Sequence, residues 1–271
     1  MTARNHFAGR NGGMNRIKGK LVLITGASSG FGEACARRFA ADGARLILWA
    51  RRGDRLELLQ GELSQRHGVD VRTDRIDVRD RDTVLSFAGE LAATNHTPDI
   101  LVNNAGLASG LDTIQEGAFD DWDRMIDTNV KGLLNVTRAV LPLMVERDSG
   151  HVVNIGSIAG RIVYPKGNVY NASKFAVRAL NEAMNIDLID TNIRVSIIDP
   201  GAAETEFSAV RFHGDKDRAQ AVYDGFEPLS AADVADAVLY VVNTPEHVNV
   251  TELVIMPTAQ RNPYLLRRDD K

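Results

Sequence analysis

In the segment NVYNASKFAV, residues 168–177, a tyrosine and a lysine stand four apart. On a helix that spacing puts the phenol of Tyr170 and the ammonium of Lys174 on one face. From these residues alone two readings are open: a packed tyrosine beside a snorkelling lysine, or a pair that moves protons. A phenol near pKa ~10 is a poor base at neutral pH, and an adjacent ammonium would lower it by favouring the phenolate. Ser157 ends an apolar run thirteen residues before Tyr170. Its hydroxyl would polarise a substrate carbonyl while Tyr170 gives or takes the alcohol proton. The hydride in such a reaction has to come from a cofactor.

A place for that cofactor lies near the other end of the chain. The run LVLIT (21–25) leads into TGASSGFG (25–32), with Gly26, Gly30 and Gly32 between an apolar strand and a helix. Glycines there allow a tight turn and close backbone approach, and the following helix N-terminus offers N–H groups to a pyrophosphate. The spacing is GxxxGxG, and Ser28, Ser29 and Phe31 complete the turn. An ordinary strand–helix turn is the plainer alternative. Cofactor choice is written at the end of the second strand, where an acid would bond the ribose 2′-hydroxyl of NAD. Here Arg51 and Arg52 follow WA. Two guanidiniums suit a 2′-phosphate, so NADP(H) is expected, although Asp54 is near enough to neutralise one of them. Asp77 and Val78 would set a carboxylate and an N–H near an adenine edge. Asn104, Ala105 and Gly106, in NNAG, would let the backbone approach the cofactor.

The elements that must position these residues repeat along the chain. Apolar strand candidates at 21–25, 45–50, 71–78, 99–105, 151–157, 193–201 and 248–256 alternate with helical spacing. Strands apolar on both faces, each followed by a helix, predict an α/β fold: a Rossmann-type doubly wound sandwich with a seven-stranded parallel sheet. The long helical region over 119–147 is expected to end or kink near Pro142. Ser230 and Asp233 read as a helix N-cap signal. Residues 14–260 read as one domain with a less regular insertion at 202–229. Residues 1–13 are expected to be a flexible leader or remnant, and 261–271 a polar tail.

Bulk properties narrow the class. The chain has 271 residues, 44% hydrophobic and 25% charged, with a formal charge of −4. Such a balance gives no sign of a nucleic-acid or anionic-membrane partner. Its one cysteine, Cys35, excludes an intrachain disulfide and a cysteine-based zinc cluster, and no metal is expected. No membrane-spanning run or secretory segment is evident, and the expected location is the cytoplasm.

With these motifs in order, the chain resembles the short-chain dehydrogenase/reductases from about Lys18 to Pro257. TGASSGFG, NNAG, the Asn of DTNVKG, Ser157, YNASK and the DPG at 199–201 carry the likeness. The resemblance implies a catalytic set of Asn129, Ser157, Tyr170 and Lys174. It implies that Asn129 holds a water linking the lysine to solvent and that Lys174 also bonds the nicotinamide ribose. Pro200, Gly201 and Thr205 resemble the segment lining the carboxamide, and a homotetramer or homodimer is implied. A narrower likeness, in NNAGLASG, TRAVLPLMVER, TEFSAVRFHGD and PEHVN, is to the NADP-dependent 3-hydroxy acid dehydrogenases and the sulfoacetaldehyde reductases. That implies serine, allo-threonine or 3-hydroxypropionate and their carbonyl forms as the substrate class.

An anionic substrate needs a cation. Arg211, in the insertion after Thr205, is the first candidate, with Arg161 and Lys166 as rivals, because such an insertion can close as a lid. The tail, with Arg261 and Tyr264, is expected to fold onto a neighbouring subunit. Two alternatives differ in kind: a reductase of a less polar ketone or aldehyde, and a nucleotide-sensing protein without turnover.

Overall fold

A computed structural model describes residues 15–269. The proposed leader, 1–13, lies outside the described residues. The central sheet has seven parallel strands: β1 (Leu21–Thr25), β2 (Arg45–Ala50), β3 (Val71–Arg75), β4 (Ile100–Asn103), β5 (Gly150–Ile155), β6 (Ile193–Pro200) and β7 (Glu252–Ile255). They are ordered β3-β2-β1-β4-β5-β6-β7. The seven-stranded doubly wound expectation is therefore met, with the edge strands β3 and β7 shorter than their apolar runs.

The two-residue period of a strand sorts each apolar run between two layers. From β1, Val22 and Ile24 face a core built with α1 (Gly30–Ala41), α2 (Gly53–His67) and α9 (Ala231–Val242). Leu21 and Leu23 face the opposite core, built with α3 (Arg81–Ala93), α5 (Leu133–Glu146) and the end of α6 (Asn168–Asp187). Burying each such side chain contributes roughly 1.5–3 kcal/mol, so a polar change in β1 would disturb the layer that its side chain faces. Capping matches the sequence signal at α9, where Ser230 Oγ accepts from the Asp233 N–H at 3.2 Å and the Asp233 carboxylate accepts from the Ser230 N–H at 2.8 Å.

The long helical region departs from expectation. It runs as α4 (Phe119–Ile126), a π-helical turn over Asp127–Gly132, and then α5, which continues through Pro142 to Glu146. Pro142 and Arg138, whose carbonyl loses its N–H partner, both lie on the exposed face, where water can take that carbonyl. The irregularity falls instead at the π turn, which contains Asn129.

The order of strands reverses between β1 and β4, so the crevice beyond their carboxyl ends is the binding position of an open α/β sheet. The insertion after β6 folds into two short helices, α7 (Glu206–Arg211) and α8 (Lys216–Ala221), over that crevice. The tail lies on its own chain rather than reaching away. Tyr264 donates its hydroxyl to the Val163 carbonyl, and Arg268 donates to the carbonyls of Val222 and Asp224. Arg261 is turned back on the Thr258 carbonyl at 2.7 Å. Among the described residues, no helix is long and apolar enough to cross a membrane.

Candidate active site

The crevice has a volume of about 280 Å³ and runs from the glycine turn to the tyrosine helix. Of the cofactor candidates, Gly26, Ser28, Ser29, Gly30, Phe31, Arg51 and Arg52 line one part of it. Asp77, Val78, Asn104, Ala105, Gly106, Thr205, Tyr170 and Lys174 line the rest. Gly32, Pro200 and Gly201 stand behind the wall. A Cβ on Gly32 would come within 2.5 Å of the Gly26 carbonyl and of the Asn104 amide nitrogen, so only glycine fits there. Gly30 has φ of +56° and brings the turn against Thr205.

Thr25, the last residue of β1, ties this turn to the next. Its Oγ1 accepts from the N–H groups of Asn104 and Ala105, each at 3.0 Å, and Asn104 Nδ2 donates to the Thr25 carbonyl at 2.8 Å. A hydroxyl ending an otherwise apolar strand was the available signal. Asn129 acts similarly at the other end. Its Oδ1 accepts from the Leu107 N–H at 2.8 Å, and its Nδ2 donates to the Leu107 carbonyl at 2.8 Å and to Ser173 Oγ at 3.0 Å. Both amide hydrogens are committed, so the side chain clamps the chain after NNAG to α6.

At the floor of the crevice, Lys174 is 7% exposed and its Nζ donates to the Ile155 carbonyl at 2.9 Å. Burial pushes this ammonium down to about 8, with Asp199 pulling the other way. Tyr170 is buried, with the Ser157 side chain among the groups acting on its phenol. Burial raises its phenol well above the usual range, helped by Tyr164 and opposed by the Arg211 charge and the Ser157 bond. Lys174 is not among the groups acting on it. With Nζ drawn to Ile155, the cation acting on the phenol is Arg211, whose guanidinium carbon stands 5.2 Å from the Tyr170 ring centroid.

Ser157 is held by Asp199, the acid of the DPG segment. Asp199 Oδ1 accepts from the Ser157 N–H at 2.9 Å, and Arg161 Nε donates to Asp199 Oδ2 at 2.6 Å. Arg161 also donates to Glu252 at 2.6 Å and does not line the crevice. It is a support for Asp199, itself buried at 1% exposure, because a carboxylate in that position needs a paired cation. Lys166 is exposed and lines a smaller adjoining cavity with Tyr170, Arg211 and Asp121.

Arg211, which like Lys166 lines the smaller cavity and not the crevice itself, differs from both rivals in its surroundings. It lies in a box of Tyr164, Tyr170 and Phe207, with centroid distances of 5.6, 5.2 and 6.0 Å, and donates Nη2 to the Tyr164 hydroxyl. Its Nε is buried and has no hydrogen-bond partner among the described residues. At the opposite end, Arg52 donates Nε to Ser28 Oγ at 3.1 Å and Nη2 to Ser29 Oγ at 2.5 Å. Arg51 is exposed and makes no hydrogen bond among the described residues. Asp77 is bound by Arg79 Nη2 at 2.6 Å.

A crevice of this shape fits a dinucleotide: serine hydroxyls and arginines at one end, a close-packed glycine turn, and a tyrosine–lysine helix at the other. Comparison agrees. Residues 20–216 match the short chain dehydrogenase family, and the chain belongs to it. It is an oxidoreductase of CH–OH groups. The NADP-dependent 3-hydroxy acid dehydrogenase YdfG of Salmonella typhi is 46% identical over 241 residues, covering 89% of this chain and 96% of that protein. Sulfoacetaldehyde reductase 2 of Chromohalobacter salexigens is 49% identical over 241 residues, covering 89% of this chain and 95% of that protein. Among solved structures, the closed form of serine dehydrogenase complexed with NADP+ aligns with a TM-score of 0.85 at 43% identity, covering 92% of this chain and 100% of that one.

Proposed function

We propose that the chain is an NADP(H)-dependent enzyme that interconverts a small 3-hydroxy acid and its carbonyl form, with Tyr170 as the proton carrier. The observation that carries the substrate class is Arg211: a cation stacked over the Tyr170 ring, with a buried Nε lacking a partner. An unmade donor in that position is costly, by about 1–3 kcal/mol, and an anionic substrate group would satisfy it.

Ser28, Ser29, Arg51 and Arg52 would hold the 2′-phosphate end of the cofactor, and Lys174 and Thr205 the nicotinamide end. When bound, the nicotinamide supplies the hydride that no side chain can. In the reducing direction the neutral phenol of Tyr170 donates its proton to the substrate oxygen, and Ser157 orients that oxygen. Arg211, above the ring, stabilises the phenolate left behind. Asn129 and Asp199 are positioning residues, acting through Leu107 and Ser157. A carboxylate or a sulfonate would meet Arg211 equally well, and relatives of both kinds exist.

Initial rates on serine, 3-hydroxypropionate, malonic semialdehyde and sulfoacetaldehyde, against neutral alcohols and aldehydes, test this with both NADP(H) and NAD(H). Anionic substrates should have the higher kcat/KM. Arg211→Met should raise KM for them by roughly 10- to 100-fold, the loss of one or two charge-assisted hydrogen bonds, while for neutral compounds it should lower kcat, through the phenolate, and leave KM nearly unchanged. An equal rise in KM for both groups would remove Arg211 from substrate recognition.

A further inference from the structure

Glu206 opens the lid helix α7, directly after Thr205, and its carboxylate bridges two arginines of the cofactor corner. Oε2 accepts from Arg52 Nη1 at 2.9 Å, and Oε1 accepts from Arg55 Nη1 at 2.7 Å. Arg52 is the residue whose other nitrogens reach Ser28 and Ser29 on the glycine turn. One guanidinium thus touches the phosphate-binding turn with one edge and the lid with the other. Glu206 itself lines the crevice.

The geometry points to Glu206 as a specificity-determining residue of the cofactor site: a built-in anion that competes with the cofactor's 2′-phosphate for Arg52 and Arg55. The proposal rests on the NADP(H) reading and goes beyond it, since that reading names only the cations. A bridging carboxylate and a phosphate ask the same thing of these two guanidiniums, an anionic oxygen facing an N–H of each. Around this corner stand Arg51, Arg52, Arg55 and Glu206. Asp54 acts on Arg55 by charge alone, and Asp77 is engaged by Arg79. A dianionic phosphate seated against Ser28 and Ser29 would meet Arg52 donors now facing Glu206, with a like charge beside it. That repulsion tempers affinity for the phosphorylated cofactor, whereas a ribose 2′-hydroxyl carries no charge to be repelled. All the partners are partly exposed, so the effect is screened to a modest size.

The test is Glu206→Gln, which keeps size and one acceptor while removing the charge. Dissociation constants are measured by titration for NADPH, NADH, 2′,5′-ADP and 5′-AMP, on wild type and variant. The variant should bind NADPH and 2′,5′-ADP roughly 3- to 10-fold more tightly, with NADH and 5′-AMP unchanged. The tightening should shrink as salt is raised. Unchanged or weaker binding of 2′,5′-ADP would overturn the proposal, because Glu206 would then be a positioner of the arginines. An equal shift for all four ligands would overturn it as well, showing a lid effect blind to the phosphate. A wild type that does not distinguish 2′,5′-ADP from 5′-AMP would overturn the NADP(H) reading and the proposal together. Wild-type discrimination left unmoved by the variant would overturn the proposal alone.

Discussion

Lys174→Met replaces a buried ammonium by an uncharged side chain of similar length, and its effect on the cofactor-free protein can be worked out with its sign. An unfolded lysine has a pKa of 10.5, and burial lowers that of Lys174 to about 8. Below pH 8 both states hold the proton, and the folded state bears the whole cost of a desolvated charge. Between pH 8 and 10.5 the unfolded chain binds more protons than the folded one, so this residue makes the wild type more stable as pH rises. The pKa drop corresponds to about 3 kcal/mol. Against it stands the Nζ hydrogen bond to the Ile155 carbonyl, whose loss leaves a buried acceptor unpaired and costs about 1–2 kcal/mol.

The variant should therefore be about 1–2 kcal/mol more stable than wild type at pH 7, a gain of a few degrees in Tm. The difference should shrink toward pH 10. Thermal unfolding of the cofactor-free protein at both pH values measures it. Saturating NADPH should raise the Tm of the variant less than that of wild type, because the contact proposed for Lys174 at the nicotinamide end is gone. A variant no more stable at pH 7, or a gap that widens with pH, would refute the claim that Lys174 is held at a cost for function.

Two further substitutions separate chemistry from binding. Tyr170→Phe removes the proton donor and keeps the ring under Arg211, so kcat should fall by at least ~100-fold while the NADPH dissociation constant stays within about twofold; single-turnover kinetics and a binding titration check it. Arg51→Asp should move the NADP(H)/NAD(H) ratio of kcat/KM toward NAD(H) by roughly 10- to 100-fold. An unchanged ratio would transfer the 2′-phosphate to Arg52 alone.

The sheet and the glycine turn could be read from residue order because their causes are local. LVLIT is apolar on both faces, and GxxxGxG fits one kind of strand–helix turn. The edge strands were overrun for the opposite reason: β3 and β7 pair on one side only, and pairing lies outside any short window. Asn129 carries no local signal either. Its value comes from Leu107, twenty-two residues away, and from a π turn that the pattern DTNVKG does not announce. Tyr170 was legible as a candidate proton carrier, but the cation above its ring was not, because Arg211 reaches the ring only once the lid has folded over the crevice.

The arginines show the limit most sharply. Arg51, Arg52, Arg161 and Arg211 are equivalent as letters, and each was a candidate to meet an anion. Folding assigns them by what they already hold. Arg161 is spent on Asp199 and Glu252, so its charge balances a buried carboxylate and through it fixes Ser157. Arg52 is shared between the glycine turn and Glu206. Arg211 is stacked among rings with a donor unmet. A cation whose hydrogen bonds are complete is a strut, and one with a buried donor to spare is poised for a ligand, because only the second gains when an anion arrives. By that criterion Arg211 is the arginine we propose for the substrate, and the hold of Glu206 on Arg52 is the control we propose at the cofactor end.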